Sequence, residues 1–190
     1  MRGNLYIVSG PSGVGKGTIC EEIVKKRDVF LSISATSREP RPYETDGVHY
    51  YFKSKSEMER MIENGELLEW NCYNGNFYGT PISVINEKIE SGIDVILEID
   101  VNGGLKVKEK INDAILVFIL PPSEDELKNR LKGRGSETEE QIQNRIAIAS
   151  GELEKAKIYD YTIVNDELDK CVDKLCEFME ENRKKGVIEQ

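Results

Sequence analysis

Gly10, Pro11, Ser12, Gly13, Val14, Gly15, Lys16, Gly17 and Thr18 follow a short apolar run and open a helical pattern. These residue types make an anion cradle. Glycines let the backbone come close, successive N–H groups at a helix N-terminus point at the anion, and the lysine adds a point charge. The G-x-x-x-x-G-K spacing between strand and helix, with a threonine two places on, points to nucleotide phosphates. A Gly-rich turn that only joins strand to helix is the plainer alternative. Gly17 departs from the usual pattern, which has Ser or Thr directly after the lysine. The reading is therefore Mg²⁺ carried by phosphates and water, with Thr18 the next hydroxyl along the chain.

A second anion site is suggested further on. Arg38 and Arg41 lie three apart on a proline-flanked arm (38–42) that reads as extended, and Tyr50 and Tyr78 lie on short strands. Two guanidiniums and two phenol hydroxyls can grip a terminal phosphate, the alternative being a solvated basic loop. The four cysteines, Cys20, Cys72, Cys171 and Cys176, form no C-x-x-C pair, and His49 is the one histidine. That disfavours a Cys/His zinc site and reads as free buried thiols.

Positioning such groups takes a scaffold. Residues 5–9, 30–34, 95–99, 114–120 and 161–164 are short, rich in β-branched residues and apolar on both faces, as strands of a covered parallel sheet are. Helical patterns at 16–26, 82–91, 102–110, 124–132 and 168–184 alternate with them. Thr80-Pro81 reads as an N-cap followed by proline, and Ser123 with Glu126 as a capping box. The alternation predicts a doubly wound α/β core on a five-stranded parallel sheet. Two stretches break the rhythm. Residues 35–79 are polar and turn-rich, with a strand at 50–52, a helix at 56–63 and a hairpin around Asn74-Gly75. Residues 132–157 form a charged helix entered through glycines. One domain with two flaps is the expected plan. At 38% apolar and 32% charged the composition is that of a globular chain. There is no apolar run of membrane-spanning length and no apolar leader, so a cytoplasmic protein is expected. A net charge of −9 argues against nucleic acid and anionic membranes as partners, so a phosphate ligand needs a locally basic pocket.

The run Ser34-Ala35-Thr36-Ser37-Arg38, then Arg41, Glu44, Gly47, Tyr50 and Phe52 at three-, three-, three- and two-residue steps, closely resembles the signature of guanylate kinases. Glu69-Trp70, Gly75 to Thr80, Glu98-Ile99-Asp100, Arg130 to Gly135, Arg145 and Ile163 to Asp166 resemble further family blocks, in family order. The resemblance implies a P-loop nucleoside-monophosphate-kinase fold within one domain, 1–190. Its parts would be a core (1–33, 81–124, 158–190), a GMP-binding insertion (34–80) and a helical lid (125–157). It places Ser34, Glu69, Thr80 and Asp100 around guanine, and Arg38, Arg41, Tyr50 and Tyr78 on the GMP phosphate. It sets residues 10–18 and Asn165 on ATP, with Asn165 beside the adenine. Lys16, Arg134 and Arg145, assisted by Arg130, would meet the transferring phosphoryl group.

The implied reaction is ATP + GMP ⇌ ADP + GDP, with Mg²⁺ accompanying ATP, GMP and ATP as the partners, and dGMP as a second acceptor. A phosphate with a second pKa of about 6 is already a nucleophile at neutral pH, so no general base is needed. The base chemistry agrees: a carboxylate accepts guanine's N1–H and N2–H, a hydroxyl donates to O6, and adenine's unprotonated N1 repels a carboxylate. Two alternatives stay open at this point. One is a non-catalytic module of guanylate-kinase type that binds phosphopeptides, for which a degraded phosphate loop would be expected. The other is a kinase for a different nucleoside monophosphate.

Overall fold

Strand β1 (Leu5–Ser9) is buried along its whole length and lies at the centre of the main sheet. Alternate side chains of a strand face opposite sides. Leu5 and Ile7 therefore enter one apolar layer and Tyr6 and Val8 the other. The sheet has the order β2-β7-β1-β8-β9, with β2 (Val29–Leu31), β7 (Asp94–Glu98), β8 (Ile115–Leu120) and β9 (Tyr161–Val164). Every pairing is parallel. Parallel strands need crossover helices, and these cover both faces. Helices α3 (Ile82–Glu90) and α4 (Val101–Lys110) supply Ile85, Ile89, Val101 and Val107 to the Leu5/Ile7 side. Helices α1 (Lys16–Lys26) and α7 (Leu168–Ile188) supply Ile19, Ile23, Val172 and Leu175 to the other. The computed structural model describes residues 2–132 and 139–188. None of the helices described is long and apolar enough to cross a membrane.

A second sheet of order β4-β3-β6-β5 is built from the turn-rich stretch. Its strands are β3 (Ala35–Thr36), β4 (Tyr51–Phe52), β5 (Leu67–Tyr73) and β6 (Asn76–Pro81), and α2 (Lys55–Glu63) packs Met58 against Ala35 and Leu67. Asn74 and Gly75, both at positive φ (48° and 73°), close the β5–β6 hairpin. The Ser54 side chain and Glu57 form a complete capping box on α2. Beyond the sheets, α5 (Glu124–Lys132) and α6 (Glu139–Glu154) share a small apolar contact through Leu127, Leu131 and Ala149, and a 3-10 turn (Lys155–Ile158) leads to β9.

Several elements differ from expectation for local reasons. The second strand ends at Leu31 instead of 34, because the chain leaves the main sheet there to enter the small one at Ala35. Pro81, not Thr80, occupies the N-cap of α3, and the Thr80 hydroxyl bonds elsewhere. At α5 only half of the box forms: Ser123 Oγ accepts from Glu126 N, while the Glu126 carboxylate turns to Arg130. The arm after Arg38 bends and makes a tight turn, Glu44 N to Arg41 O, so it is not extended. Cys20 and Cys171 are buried, but Cys72 is exposed.

Candidate active site

The phosphate loop sits at the C-terminal end of the central strand, where the chain order reverses and open α/β sheets place their ligands. Gly15 is the N-cap of α1 at φ 97°, a left-handed conformation that a side chain would strain, and a Cβ there would lie 2.7 Å from Asn165 Nδ2. No side chain caps α1 and no acid stands in its first turn, so its N–H groups face the loop. Lys16 Nζ folds back to donate to the carbonyls of Gly10 (2.7 Å) and Pro11 (3.1 Å). Burial lowers the Lys16 pKa, against the opposing charges of Glu98, Glu152, Cys20 and Asp100.

The residues expected around guanine converge where β5, β6 and α4 meet. Glu69 is 5% exposed, and its Oε1 accepts from the Thr80 hydroxyl at 2.7 Å. Burial raises its pKa and Asp100 adds to the rise, while Thr80, Lys106 and Lys110 oppose it. A β-bulge aims this side chain: between the pairs Leu67–Pro81 and Trp70–Gly79, β5 carries one residue more than β6. Leu67, Leu68 and Glu69 are consequently buried in succession, with Leu67 in the small core and Leu68 in the main one. Asp100 is the N-cap of α4, its Oδ1 accepting from Asn102 N and Gly103 N. A Cβ on Gly103 would come within 3.0 Å of Glu69 Oε2, so glycine there lets the helix approach the carboxylate. Ser34 precedes β3, with its carbonyl accepting from Tyr51 N.

The basic arm forms a compact cluster around one acid. Glu44 has a side chain 4% exposed. It accepts from Arg38 Nη2 at 2.8 Å and from Arg41 N at 2.7 Å, and lies 3.5 Å from Arg41 Nη1. Burial pushes its carboxyl up, but these bonds and charges outweigh it and leave the pKa lowered. The Arg38 guanidinium also lies 5.5 Å from the Tyr50 ring, and Tyr50 meets Tyr78 edge-on at 6.2 Å. All four residues expected on a phosphate are thus neighbours. Glu44 is the organiser that the sequence reading left unassigned, although an acid three places after Arg41 was the signal for it.

Asn165 is buried and donates Nδ2 to Val14 O at 2.8 Å, which places it on the phosphate loop itself. Arg130 bonds Glu126 Oε1 and reaches Asn165 O at 3.4 Å. Arg145 lies half-buried on α6, and Arg134 lies outside the described residues. Glu98, at the end of β7, was not picked out as a site residue. Its Oε2 would stand 3.4 Å from a Cβ on Gly17, and its charge acts on both Lys16 and Tyr50, so it lies between the glycine loop and the basic-arm cluster. Among the described residues no group of three or more His, Cys, Asp or Glu could hold a metal. One carboxylate beside the loop fits a Mg²⁺ that keeps phosphate and water ligands, not an all-protein cage.

The chain thus carries a glycine loop at a helix N-terminus, a buried acid–hydroxyl pair and a basic arm ordered by Glu44. The family model described as Guanylate kinase matches residues 2–182. A guanylate kinase of Desulfitobacterium hafniense is 50% identical over 91% of this chain and 87% of its own length. One from Halalkalibacterium halodurans is 50% identical over 92% and 86%. The crystal structure of guanylate kinase from Anaplasma phagocytophilum superposes with a TM-score of 0.81 at 29% identity, covering 95% of this chain and 86% of that one. With that agreement in sequence and fold, the chain belongs to the guanylate kinase family.

Proposed function

We propose that this chain transfers the γ-phosphoryl group of ATP to GMP, and to dGMP, giving ADP and the diphosphate. The observation that carries the base assignment is Glu69: a buried carboxylate, hydroxyl-paired, with a second carboxylate at Asp100 beside it. A buried carboxylate, acceptor-only when ionised, selects a base edge with two adjacent donors, which guanine has and adenine lacks. In this reading Glu69 takes N1–H and N2–H with Asp100 beside it, and the Ser34 hydroxyl donates to O6; Thr80, whose one proton is on Glu69, would serve O6 only by turning from it. Arg38, Arg41, Tyr50 and Tyr78 hold the GMP phosphate, with Glu44 fixing both guanidiniums.

Lys16 and the α1 N-terminus hold the ATP phosphates, and Asn165 supports the loop beneath them and the adenine side. Lys16 must leave the Gly10 and Pro11 carbonyls to do so, exchanging neutral acceptors for charged ones. Arg130, Arg134 and Arg145 neutralise the moving group. Catalysis is alignment and charge neutralisation, since the acceptor phosphate is already ionised. Mg²⁺, when bound with ATP, would supply charge neutralisation at the phosphates, and Glu98, beside Gly17, would help hold its water shell, with Thr18 the next hydroxyl along the chain. The working parts are a core (1–33, 81–124, 158–190), an insertion for GMP (34–80) and a lid (125–157). The intact loop and Lys16 weigh against a binding-only module.

A coupled ADP-release assay across GMP, dGMP, AMP, UMP and CMP tests the reading. The expected result is turnover with GMP and dGMP and a kcat/KM lower by about 10⁴ for AMP. Comparable rates with AMP, or binding of GMP without ADP release, would overturn it.

A further inference from the structure

Strand β5 is the edge of the small sheet, and α4 lies beside it. Lys106 Nζ donates to Trp70 O at 3.2 Å and Lys110 Nζ to Leu68 O at 2.5 Å. Those carbonyls flank Glu69 on either side, within the bulge. The two lysines stand four apart and so share one face of α4. Lys108, between them, turns away to Ala114 O and Asp160. The helix that carries the staple is the one Asp100 caps, and Gly103 brings its first turn against Glu69.

We infer that Lys106 and Lys110 are positioning residues for guanine selection: they pin the β5 bulge to α4, so that a single helix fixes Glu69 relative to Asp100. This rests on Glu69 reading the base. The same lysines act on the charge of that carboxylate. The groups acting on Glu69 are Thr80 from β6, Asp100 from the α4 cap, and Lys106 and Lys110 from α4. Burial and Asp100 favour the protonated acid, and the lysines and Thr80 favour the carboxylate that can accept two donors. Neither lysine reaches the phosphate loop through any of these contacts, so the effect belongs to the GMP side.

The test uses the full chain with Lys106→Met and Lys110→Met, singly and together, the matching Arg variants, and Glu69→Gln with and without the Met pair. Kinetics with GMP, IMP and ATP are measured from about pH 5 to about pH 9, with a melting curve for each variant. The Met pair is expected to raise KM for GMP about tenfold, consistent with loss of two charge-assisted bonds that act indirectly. The ATP KM should stay within about twofold, and the acid limb of log kcat/KM for GMP should move to higher pH. The substrate phosphate's own titration is common to all variants and cancels in that comparison. The Arg pair, which keeps donors and charge, should restore most of the loss, and in the Glu69→Gln background the Met pair should change GMP kinetics little. If Glu69→Gln alone leaves GMP kinetics untouched, the base assignment fails. If Glu69→Gln weakens GMP but the Met pair keeps the native KM and acid limb, the staple fails by itself. Parallel losses for GMP, ATP and melting temperature would equally overturn it, as a purely structural effect.

Discussion

At residue scale the site keeps a carboxylate where the fold alone would not choose one. Glu69 is buried and its pKa raised, so above the ordinary carboxylate pKa the folded chain holds a proton that the unfolded chain releases. Its contribution to stability therefore falls as pH rises through that window and is least favourable above the raised pKa. Glu69→Gln, which keeps an oxygen for Thr80, should melt higher than the native chain at neutral pH, by the 0.5–2 kcal/mol (about) typical of relieved functional sites. The gain should vanish in acid. An unchanged Tm difference from pH 4 to 8 (roughly the span of the linkage) would contradict the burial cost. Function should move the other way: Glu69→Ala is expected to lose about 2–4 kcal/mol in kcat/KM for GMP, roughly thirty- to a thousandfold, and less for IMP, which lacks the N2 amine. Trp70, 6.0 Å from the Phe77 ring, offers a fluorescence signal for GMP occupancy. An unaltered GMP-to-IMP ratio would pass the N2 assignment to Asp100. Lys16→Met should cut turnover by orders of magnitude while GMP affinity changes little, because the lysine and the GMP cluster belong to separate segments. Equal loss of GMP binding would show the lysine assigned to the wrong nucleotide.

At the scale of elements, the joint between β5 and α4 is where helix and strand preferences give way to the site. Gly103 sits in the first turn of α4, where alanine is the better helix former by about 0.8–1.0 kcal/mol. A methyl group there would meet Glu69 Oε2 at 3.0 Å. Gly103→Ala should thus raise the GMP KM about tenfold, on the order of one displaced charge-assisted bond, and leave the ATP KM and the fold intact. A GMP KM equal to the native value would mean that the close approach carries no functional weight. The same joint shows what a sequence discloses. Short apolar runs locate β1 and β9, and the helical pattern after the glycine loop locates α1, because each signal lies among neighbours along the chain. The bulge at Glu69 does not show, because it exists only through the register of β6 against β5. Pro81 at a cap and the Thr80 hydroxyl on Glu69 share that cause: a long-range partner outbid the local motif. Glu44 and Glu98 stand within the motifs, but the place of Glu44 between two arginines and that of Glu98 beside the loop are set by folding, not spacing.

At the scale of the molecule, a chain of net charge −9 has the cations proposed to act on phosphates at the C-terminal end of the central strand and on the parts beyond the main sheet. Lys16 belongs to the parallel core, Arg38 and Arg41 to the small sheet, and Arg145 to α6. No single rigid element carries them all. If they surround one phosphoryl group during transfer, the small sheet and α6 must approach the loop, expelling water as they do and preventing transfer to it. Arg38 and Arg41 are already ordered by Glu44, so the approach is a movement of pre-formed clusters and not their assembly. The small sheet has a core of its own, Ala35, Met58 and Leu67, so a closing movement would carry it as a body, with the Leu68 and α4 joint as the expected hinge. A dinucleotide that joins adenosine to guanosine through phosphates would engage both clusters at once. It should shrink the radius of gyration in solution scattering toward the roughly 16 Å expected of a compact chain of this length. It should also slow amide exchange in α6, while GMP alone should protect chiefly β5, β6 and the 34–52 arm. Unchanged scattering together with unchanged exchange in α6 would show that the cations act from where they stand, and that the phosphoryl group crosses an open cleft.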